Sequence, residues 1–146
     1  MKSDNDKSFF IIKPEAFNQR EEIKRVIATQ SDLKIIVTRT VILTEHDINT
    51  LYLDDIETDL MKAIKTQLIG AMVEVGIVVG EDAVIKLTQI CGENSFPGDC
   101  PKGTIRERFG KRQPIVFRGI TYYLNAIHKA SKKEAKPAIE WFYSKK

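Results

Sequence analysis

The order of strand-like and helix-like segments constrains the fold of this chain more than any other feature of its sequence. The apolar run Phe9 to Ile12 ends at Lys13-Pro14 and predicts a buried strand that stops there, because proline cannot donate to a sheet ladder. The stretch Leu33 to Leu43 is rich in Ile, Val and Thr, which favours a long strand. The apolar segments Gly70 to Val79 and Ile115 to His128 predict the third and the last strand.

Helical patterns separate these predicted strands. Spacing and composition predict helices around Ile23 to Ile27, from Thr44 through Tyr52, from Leu60 to Ile69, from Glu81 to Cys91 and after Ser131, with a loop from Glu93 to Gly103. Thr44 with Asp47, and Ser131 with Glu134, match the pattern of a capping box at a helix start. Pro137 is expected to disrupt the last helix unless that helix begins there.

The resulting order of segments defines a fold class. It predicts a ferredoxin-like α+β domain of βαββαβ type, with a four-stranded antiparallel sheet covered by helices and a helical hairpin insertion. Residues 1–7 mix acids and bases and are expected to form a flexible polar tail, which leaves residues 8–146 as a single domain. Because this fold hosts many functions, the function has to be argued from a site.

Composition excludes several classes of protein. A hydrophobic content of 42% is too high for a disordered chain, and no segment has the length and apolarity of a membrane span or signal peptide, so a cytoplasmic protein is expected. The net charge of +3 suits an anionic ligand but argues against nucleic acid as a partner. Cys91 and Cys100 lie outside CxxC spacing and are expected to be reduced thiols, and no zinc set can be assembled from neighbouring ligands.

Familiar catalytic signatures are absent from the sequence. The segment Gly98 to Thr104 has the glycine spacing of a P-loop but lacks its lysine, and no dinucleotide-binding, nucleophile-elbow or zincin motif occurs. Three stretches remain that carry chemistry: IIKPEA at 11–16, GTIRERFG at 103–110 and NAIHKAS at 125–131. Taken singly, each has an ordinary structural explanation.

Taken together and in this order, the motifs resemble those of the nucleoside diphosphate kinase family over Phe9 to Phe142. The matching segments are IKP at 12–14, Tyr52, AMVEVG at 71–76, GEN at 92–94, GTIR at 103–106, N-x-x-H at 125–128 and WF at 141–142. The resemblance implies a ping-pong enzyme that moves the γ-phosphate of a nucleoside triphosphate to a nucleoside diphosphate through a phosphohistidine. It also implies Mg²⁺ on the nucleotide phosphates and a homo-oligomer, with a hexamer favoured over a tetramer or dimer.

The same resemblance implies a role for each of six residues. They are His128 as the phosphorylated nucleophile, Lys13 on the phosphates and the sugar hydroxyl, Arg106 on the phosphates, Asn125 on the ribose, Tyr52 beside the histidine and Asn94 in place of a phosphate-binding threonine. These residue types suit the chemistry, since an uncharged imidazole is a competent nucleophile near neutral pH. Phosphoryl transfer further requires cations and in-line positioning.

The chain also departs from the family pattern around the histidine and the base. HKAS replaces the family's usual sequence after the histidine, which displaces Ser131 by one residue unless Lys129 is an insertion. The family's histidine-orienting glutamate has no clean counterpart, and Glu134 is the candidate substitute. The helical hairpin is shortened and its base-stacking aromatic is missing, which leaves Leu60 or Ile64 as apolar substitutes.

A further departure concerns positive charge. The family's second phosphate-binding arginine is replaced by Thr88, although Lys86 lies close by in sequence. The connection between Arg106 and Asn125 is longer than usual, and its basic residues are candidates to restore charge at the site: Arg108, Lys111, Arg112 and Arg118.

Two other interpretations stay open. A family member that has lost these contacts would bind nucleotides with little or no turnover and have a regulatory or structural role. Alternatively, Arg118-Gly119 followed by Tyr122 and Tyr123 faintly resembles an RNA-recognition segment, whose aromatic residues stack on bases. The aromatic and small residues expected between them are missing, however, and no companion motif occurs on the first strand.

Overall fold

A computed structural model describes residues 6–53 and 58–145 of the chain. Its strands are β1 (Lys7–Ile12), β2 (Lys34–Ile42), β3 (Met72–Val79), β4 (Ile115–Phe117), β5 (Ile120–Tyr122) and β6 (Ile127–Lys129). Its α-helices are α1 (Arg20–Gln30), α2 (Glu45–Leu51), α3 (Asp59–Leu68), α4 (Ala83–Cys91), α5 (Ile105–Phe109) and α6 (Lys132–Ser144). Four strands form an antiparallel sheet in the order β2-β3-β1-β6, which confirms the predicted ferredoxin-like α+β class.

The sheet is covered on both faces, and β1 shows why its sequence is a continuous apolar run. Side chains alternate across a strand, so Phe9 and Ile11 enter the core cluster with α2, α3 and α6, whereas Phe10 and Ile12 enter the one with α1 and α4. All four side chains are at most 1% exposed. A strand buried on both faces has no polar alternation, which is the pattern that the sequence shows.

The N-terminal and hairpin predictions fall partly outside the described residues. β1 begins at Lys7, within the predicted tail of residues 1–7, while residues 1–5 lie outside the described part of the chain. The inserted helical hairpin consists of α2 and α3, and residues 54–57 between them also lie outside it. The single domain over residues 8–146 stays a prediction.

The prediction of one strand from Ile115 to His128 is wrong. This segment forms a separate hairpin of β4 and β5, and only β6 joins the main sheet. The physical reason is a turn at Arg118 and Gly119, whose φ angles of 51° and 81° match the two-residue turn that suits the twist of a hairpin. A third residue with positive φ, Ala126 at 75°, reorients the chain just before β6.

The predicted disruption at Pro137 is also wrong, because α6 runs through this residue. A proline inside a helix costs about 3 kcal/mol, but α6 buries Ala138, Trp141 and Phe142 against the core, and this packing outweighs the lost hydrogen bond. Both predicted capping boxes form, at the start of α2 and of α6. The short helix α5 was not predicted; it begins within the GTIR motif, where the Thr104 side chain accepts a hydrogen bond from the Glu107 backbone.

Candidate active site

A cavity of about 340 Å³ opens where the ends of several elements meet. Its walls come from the residue after β1, the end of α2, the start of α3, the loop after α4, the hairpin, β6 and the first turn of α6. It brings together every predicted site residue except Asn94: Lys13, Tyr52, Leu60, Arg106, Asn125, His128 and Glu134. Residues far apart in sequence thus share one cavity, as the resemblance implies.

His128 is held between a carboxylate and an aromatic ring. It lies on β6 opposite Ile11 of β1, so the sheet fixes its backbone. Its Nε2 is buried and lies 3.4 Å from Glu134 Oε1, and its ring stacks on Tyr52 with 4.0 Å between the ring centroids and 30° between the planes. The side chain is 16% exposed, so the imidazole is confined but reaches the cavity.

The surroundings of His128 favour the uncharged imidazole. Burial is the largest effect and lowers its pKa from the usual value near 6.5. Glu134 raises the pKa, while the positive charges of Arg106 and Lys129 lower it further. Since the net shift is downward, the ring is neutral at neutral pH and has a lone pair available for nucleophilic attack.

Glu134 has two contacts that together fix its position. Its Oε1 accepts a hydrogen bond from the Ser131 backbone at 3.1 Å, and the Ser131 hydroxyl accepts one from the Glu134 backbone at 3.3 Å. This capping box begins α6 and directs the carboxylate toward His128. The structure therefore also shows a place for Ser131 despite its displacement from the family pattern: it caps the helix that carries Glu134.

Lys13 and Asn125 form a pair in the cavity wall. Lys13 is 5% exposed and its Nζ donates to Asn125 Oδ1 at 3.1 Å, while Asn125 Nδ2 donates to the Ser95 carbonyl at 3.2 Å. Glu15 Oε2 lies 3.9 Å from the same Nζ and accepts from the Ala126 backbone at 3.0 Å. Burial lowers the pKa of Lys13, Glu15 opposes that shift and Arg106 adds to it.

Arg106 braces the backbone next to the histidine. Its Nε and Nη2 donate to the Ile127 carbonyl at 3.2 and 2.9 Å, and its Nη1 donates to the carbonyls of Gly92 and Asn94, both at 3.2 Å. The side chain is 6% exposed, and burial lowers the pKa of its guanidinium. The guanidinium thus joins the loop after α4 to the residue that precedes His128, and all three of its nitrogens already have carbonyl partners.

Gly92 allows this loop to pass close to the rest of the site. It ends α4 with a φ of 96°, a conformation that favours glycine, and a Cβ here would lie 2.7 Å from Cys100 Sγ.

Asn94, two residues after Gly92, is placed differently from the prediction. Its exposed side chain accepts a hydrogen bond from the Phe96 backbone at 2.8 Å, a local turn that asparagine favours, and Glu93 and Ser95 line the cavity instead.

The apolar end of the cavity combines a predicted part with one that the sequence analysis did not assign. Leu60 and Ile64 of α3 both line it, as expected for substitutes of the missing aromatic. Tyr122 and Tyr123 line it as well, and Tyr123 packs on Phe96 with 4.4 Å between the ring centroids. These tyrosines lie at the end of the hairpin and outside the four-stranded sheet, so the RNA-recognition interpretation loses its structural basis.

The basic residues expected to restore charge do not reach the cavity. Lys86 Nζ instead lies 3.7 Å from Asp32 Oδ2, Arg112 Nη2 lies 2.8 Å from Glu107 Oε2, and Arg108 lies over the Phe109 ring. Lys111 and Arg118 are exposed, and neither they nor Thr88 line the cavity. These side chains are therefore not part of the cavity wall.

No cluster of three or more His, Cys, Asp or Glu residues that could hold a metal ion occurs within 6–53 and 58–145. Cys91 and Cys100 are free thiols, and both are buried. Burial raises the pKa of Cys91 to about 12 and also raises that of Cys100, so neither is an activated nucleophile. Across those same described ranges, no helix has the length and apolarity needed to cross a bilayer.

Fold and site together define a class of protein: ferredoxin-like domains that present a buried, neutral histidine beside buried cations at one end of the sheet. Within this class, the chain belongs to the nucleoside diphosphate kinase family, because residues 6–146 match the family model described as nucleoside diphosphate kinase.

Individual relatives agree with this assignment. The nucleoside diphosphate kinase of Campylobacter lari is 27% identical over 143 residues, 96% of each chain, and that of Caulobacter sp. (strain K31) is 30% identical over 106 residues, 71% of this chain and 75% of the relative. The Aquifex aeolicus nucleoside diphosphate kinase structure has a TM-score of 0.77 at 20% identity over 96% of both chains. The Borrelia burgdorferi enzyme with bound vanadate and ADP has a TM-score of 0.73 at 22% identity, over 92% of this chain and 84% of the other. These structural likenesses establish the fold.

Proposed function

We propose that this chain transfers the γ-phosphate of a nucleoside triphosphate to a nucleoside diphosphate by a ping-pong mechanism in which His128 carries the phosphoryl group. The observation that carries the proposal is the His128 imidazole, which is neutral, faces Glu134 through Nε2 and reaches the cavity. Membership of the nucleoside diphosphate kinase family supports the same reaction. The proposal favours an active enzyme over a nucleotide-binding relative without turnover.

The position of Glu134 assigns the two ring nitrogens. A carboxylate beside Nε2 stabilises the tautomer with its hydrogen on that nitrogen, which leaves the lone pair on Nδ1. In the first half-reaction Nδ1 forms a bond to the γ-phosphorus, and the bond from that phosphorus to the bridging oxygen breaks. The nucleoside diphosphate leaves with that electron pair, and Glu134 stabilises the positive charge gained by the ring. In the second half-reaction a terminal oxygen of another nucleoside diphosphate takes the phosphoryl group and restores the neutral imidazole.

The remaining residues bind and position the nucleotide. Lys13 binds the phosphates, and Asn125, which accepts a hydrogen bond from Lys13, binds the sugar. Arg106 acts mainly by holding the backbone before His128, and its positive charge adds to the attraction for phosphate. Leu60 and Tyr122 contact the base from the apolar end of the cavity. Asn94 has no part in this proposal, because its amide is engaged outside the cavity.

We further propose that the nucleotide binds as its magnesium complex. Mg²⁺ is commonly held by substrate phosphates, waters and one or two carboxylates rather than by a protein cage. Glu93, a carboxylate at the cavity wall, fits that pattern. When bound, the ion would neutralise phosphate charge.

Two further expectations concern the assembly and the location of the protein. By family, we propose a homo-oligomer, with a hexamer favoured over a tetramer or dimer, and the sequence further predicts a cytoplasmic location. Light scattering of the purified protein tests the assembly, and a mass equal to that of one chain would contradict it.

Exchange of label between the two nucleotides tests the reaction itself. An active enzyme with only ATP, labelled ADP and Mg²⁺ moves label into ATP, because the phosphoryl group that His128 takes from ATP is passed to labelled ADP as the acceptor. We expect exchange in the wild type and in His46→Asn, which removes an exposed histidine, and none in His128→Asn. If His128→Asn exchanged label at the wild-type rate, the proposed nucleophile would be wrong. If the wild type bound ADP but showed no exchange, the chain would be a binding protein without turnover.

A further inference from the structure

We propose that Lys129 is a phosphate-binding residue of this site and supplies positive charge that Lys86 of α4, which contacts Asp32 instead, does not bring to the cavity. The ligand class is a nucleoside di- or triphosphate, contacted at its terminal phosphates by the Lys129 ammonium. This inference deepens the proposed function and rests on it.

Lys129 lies in the wall of the cavity that contains His128. It follows His128 directly on β6 and pairs with Phe10 of β1, so the sheet holds its backbone. Because side chains alternate along a strand, Lys129 leaves the sheet on the same face as Ile127, which packs in the core cluster with Leu87 of α4. It is partly buried and lines the same cavity as His128.

The Lys129 ammonium has no partner among the described residues. It forms no ion pair there and donates no hydrogen bond to them. The carboxylates of Glu93 and Glu134 also line the cavity, but Glu134 is engaged with Ser131 and His128. A partly buried cation without a counter-ion is costly, and an anion that enters the cavity relieves that cost.

The other two cations of the cavity are already engaged. Lys13 donates to Asn125, and the three guanidinium nitrogens of Arg106 donate to backbone carbonyls. The basic residues of α4 and of the longer connection point elsewhere, as shown by the contact between Lys86 and Asp32. Within the described ranges, Lys129 is therefore the cation of this cavity that has neither a hydrogen-bond acceptor nor an ion-pair partner, whereas Lys13 keeps only part of its donors for a ligand.

The electrostatics of the cavity agree with an anionic ligand at this position. Burial lowers the pKa of Lys129, and the positive charge of Arg106 lowers it further, against smaller opposing effects of Cys91, Glu134 and Glu93. Two cations that repel each other in a partly buried cavity form a site of positive potential, in which a polyphosphate is stabilised by both.

Nucleotide binding to substituted proteins tests the proposal. Lys129→Gln removes the charge, Lys129→Met removes it while keeping an apolar stem, and Lys129→Arg keeps it; Lys136→Gln removes an exposed charge outside the cavity as a matched control. Dissociation constants for ADP with Mg²⁺ and for adenosine are measured by calorimetry on the full chain, and thermal melting confirms that each variant folds.

We expect Lys129→Gln and Lys129→Met to weaken ADP binding about ten- to a hundredfold while adenosine binding stays within about twofold, since one charge-assisted hydrogen bond is lost. Lys129→Arg and Lys136→Gln should bind ADP within a few-fold of the wild type. Unchanged ADP affinity in both neutral variants, or an equal loss for ADP and adenosine, would overturn the proposal. These outcomes can be told apart from failure of the proposed function. If the wild type exchanges label but the neutral Lys129 variants bind ADP normally, only the role of Lys129 is refuted. If the neutral variants lose ADP binding selectively but the wild type shows no exchange, only the catalytic proposal is refuted.

Discussion

The substitution Glu134→Gln separates the two roles of this carboxylate, which caps α6 through the Ser131 backbone and places a negative charge beside His128. Glutamine has the same shape and keeps an oxygen that can accept from the Ser131 backbone, now at 3.1 Å, so the capping box at the start of α6 is preserved. What it removes is the negative charge 3.4 Å from His128 Nε2. Since Glu134 is 3% exposed, water cannot replace that charge.

The size of the effect follows from the charge on the ring. Phosphorylation makes the imidazole positive. His128 Nε2 forms no hydrogen bond to the described residues before that step, so the comparison concerns the bond that the charged ring can form: about 1.5–3 kcal/mol with a charged acceptor against about 0.5–1.5 kcal/mol with a neutral one. The difference of about 1–1.5 kcal/mol, at the low end because 3.4 Å is a long contact, corresponds to roughly five- to fifteenfold slower phosphorylation of His128. The free energy of unfolding should fall by less than about 1 kcal/mol, mainly through the lost charge at the helix start. Glu134→Ala should cost about 0.5–2 kcal/mol because the cap is also lost.

Rapid-quench measurement of phosphoenzyme formation, with urea unfolding beside it, gives both quantities. A pH–rate profile adds a readout that a purely structural role would not move. The neutral ring reacts, so the rate falls as the pH drops through the His128 pKa, which lies below its usual value. Glu134 raises that pKa, so in Glu134→Gln the fall should occur at a still lower pH. If Glu134→Gln formed the phosphoenzyme at the wild-type rate and its pH–rate profile were unshifted, this reasoning would be refuted.

Three further predictions concern stability, thiol reactivity and the base. Burial opposes ionisation of Asp47, but hydrogen bonds from Lys145, the Thr44 backbone and Trp141 outweigh it and lower the pKa of Asp47 to about 2. Its contribution to stability is therefore present above about pH 4 and lost as the pH falls toward 2. The free energy of unfolding in urea, plotted against pH over that range, should change markedly less for Asp47→Asn than for the wild type. The buried thiols of Cys91 and Cys100 should resist iodoacetamide at pH 8 in the native protein and react in urea, and labelling of both in the native state would contradict their raised pKa values. Leu60→Phe should tighten ADP binding about two- to tenfold by restoring a ring for the base, and unchanged affinity would place the base elsewhere.

Local patterns explain which parts of the fold could be predicted from the sequence. The apolar run Phe9 to Ile12, the β-branched stretch that became β2 and the two capping boxes depend on residues close together in the chain, and all appear as expected. The hairpin was missed because Arg118, which is not glycine, adopts positive φ at its turn. The continuity of α6 through Pro137 depends on tertiary packing, which overrides a local preference.

The candidate site shows the same division. Motif order indicated which residues would meet, and the cavity contains all of them except Asn94, whose side chain satisfies its own turn. The sequence could not show that the guanidinium of Arg106 is engaged by carbonyl groups, nor that Lys129 is left without a partner among the described residues. Both facts depend on side-chain contacts across long sequence separations.

Mass spectrometry of the phosphoenzyme tests the central claim most directly. The protein is incubated with ATP and Mg²⁺, kept at alkaline pH to preserve a phosphoramidate, digested, and mapped before and after addition of a nucleoside diphosphate. The account predicts one phosphoryl group on the peptide that contains His128, lost on addition of the acceptor and absent from His128→Asn. A stable phosphoryl group on another residue, or a nucleoside triphosphate formed by His128→Asn at the wild-type rate, would contradict it.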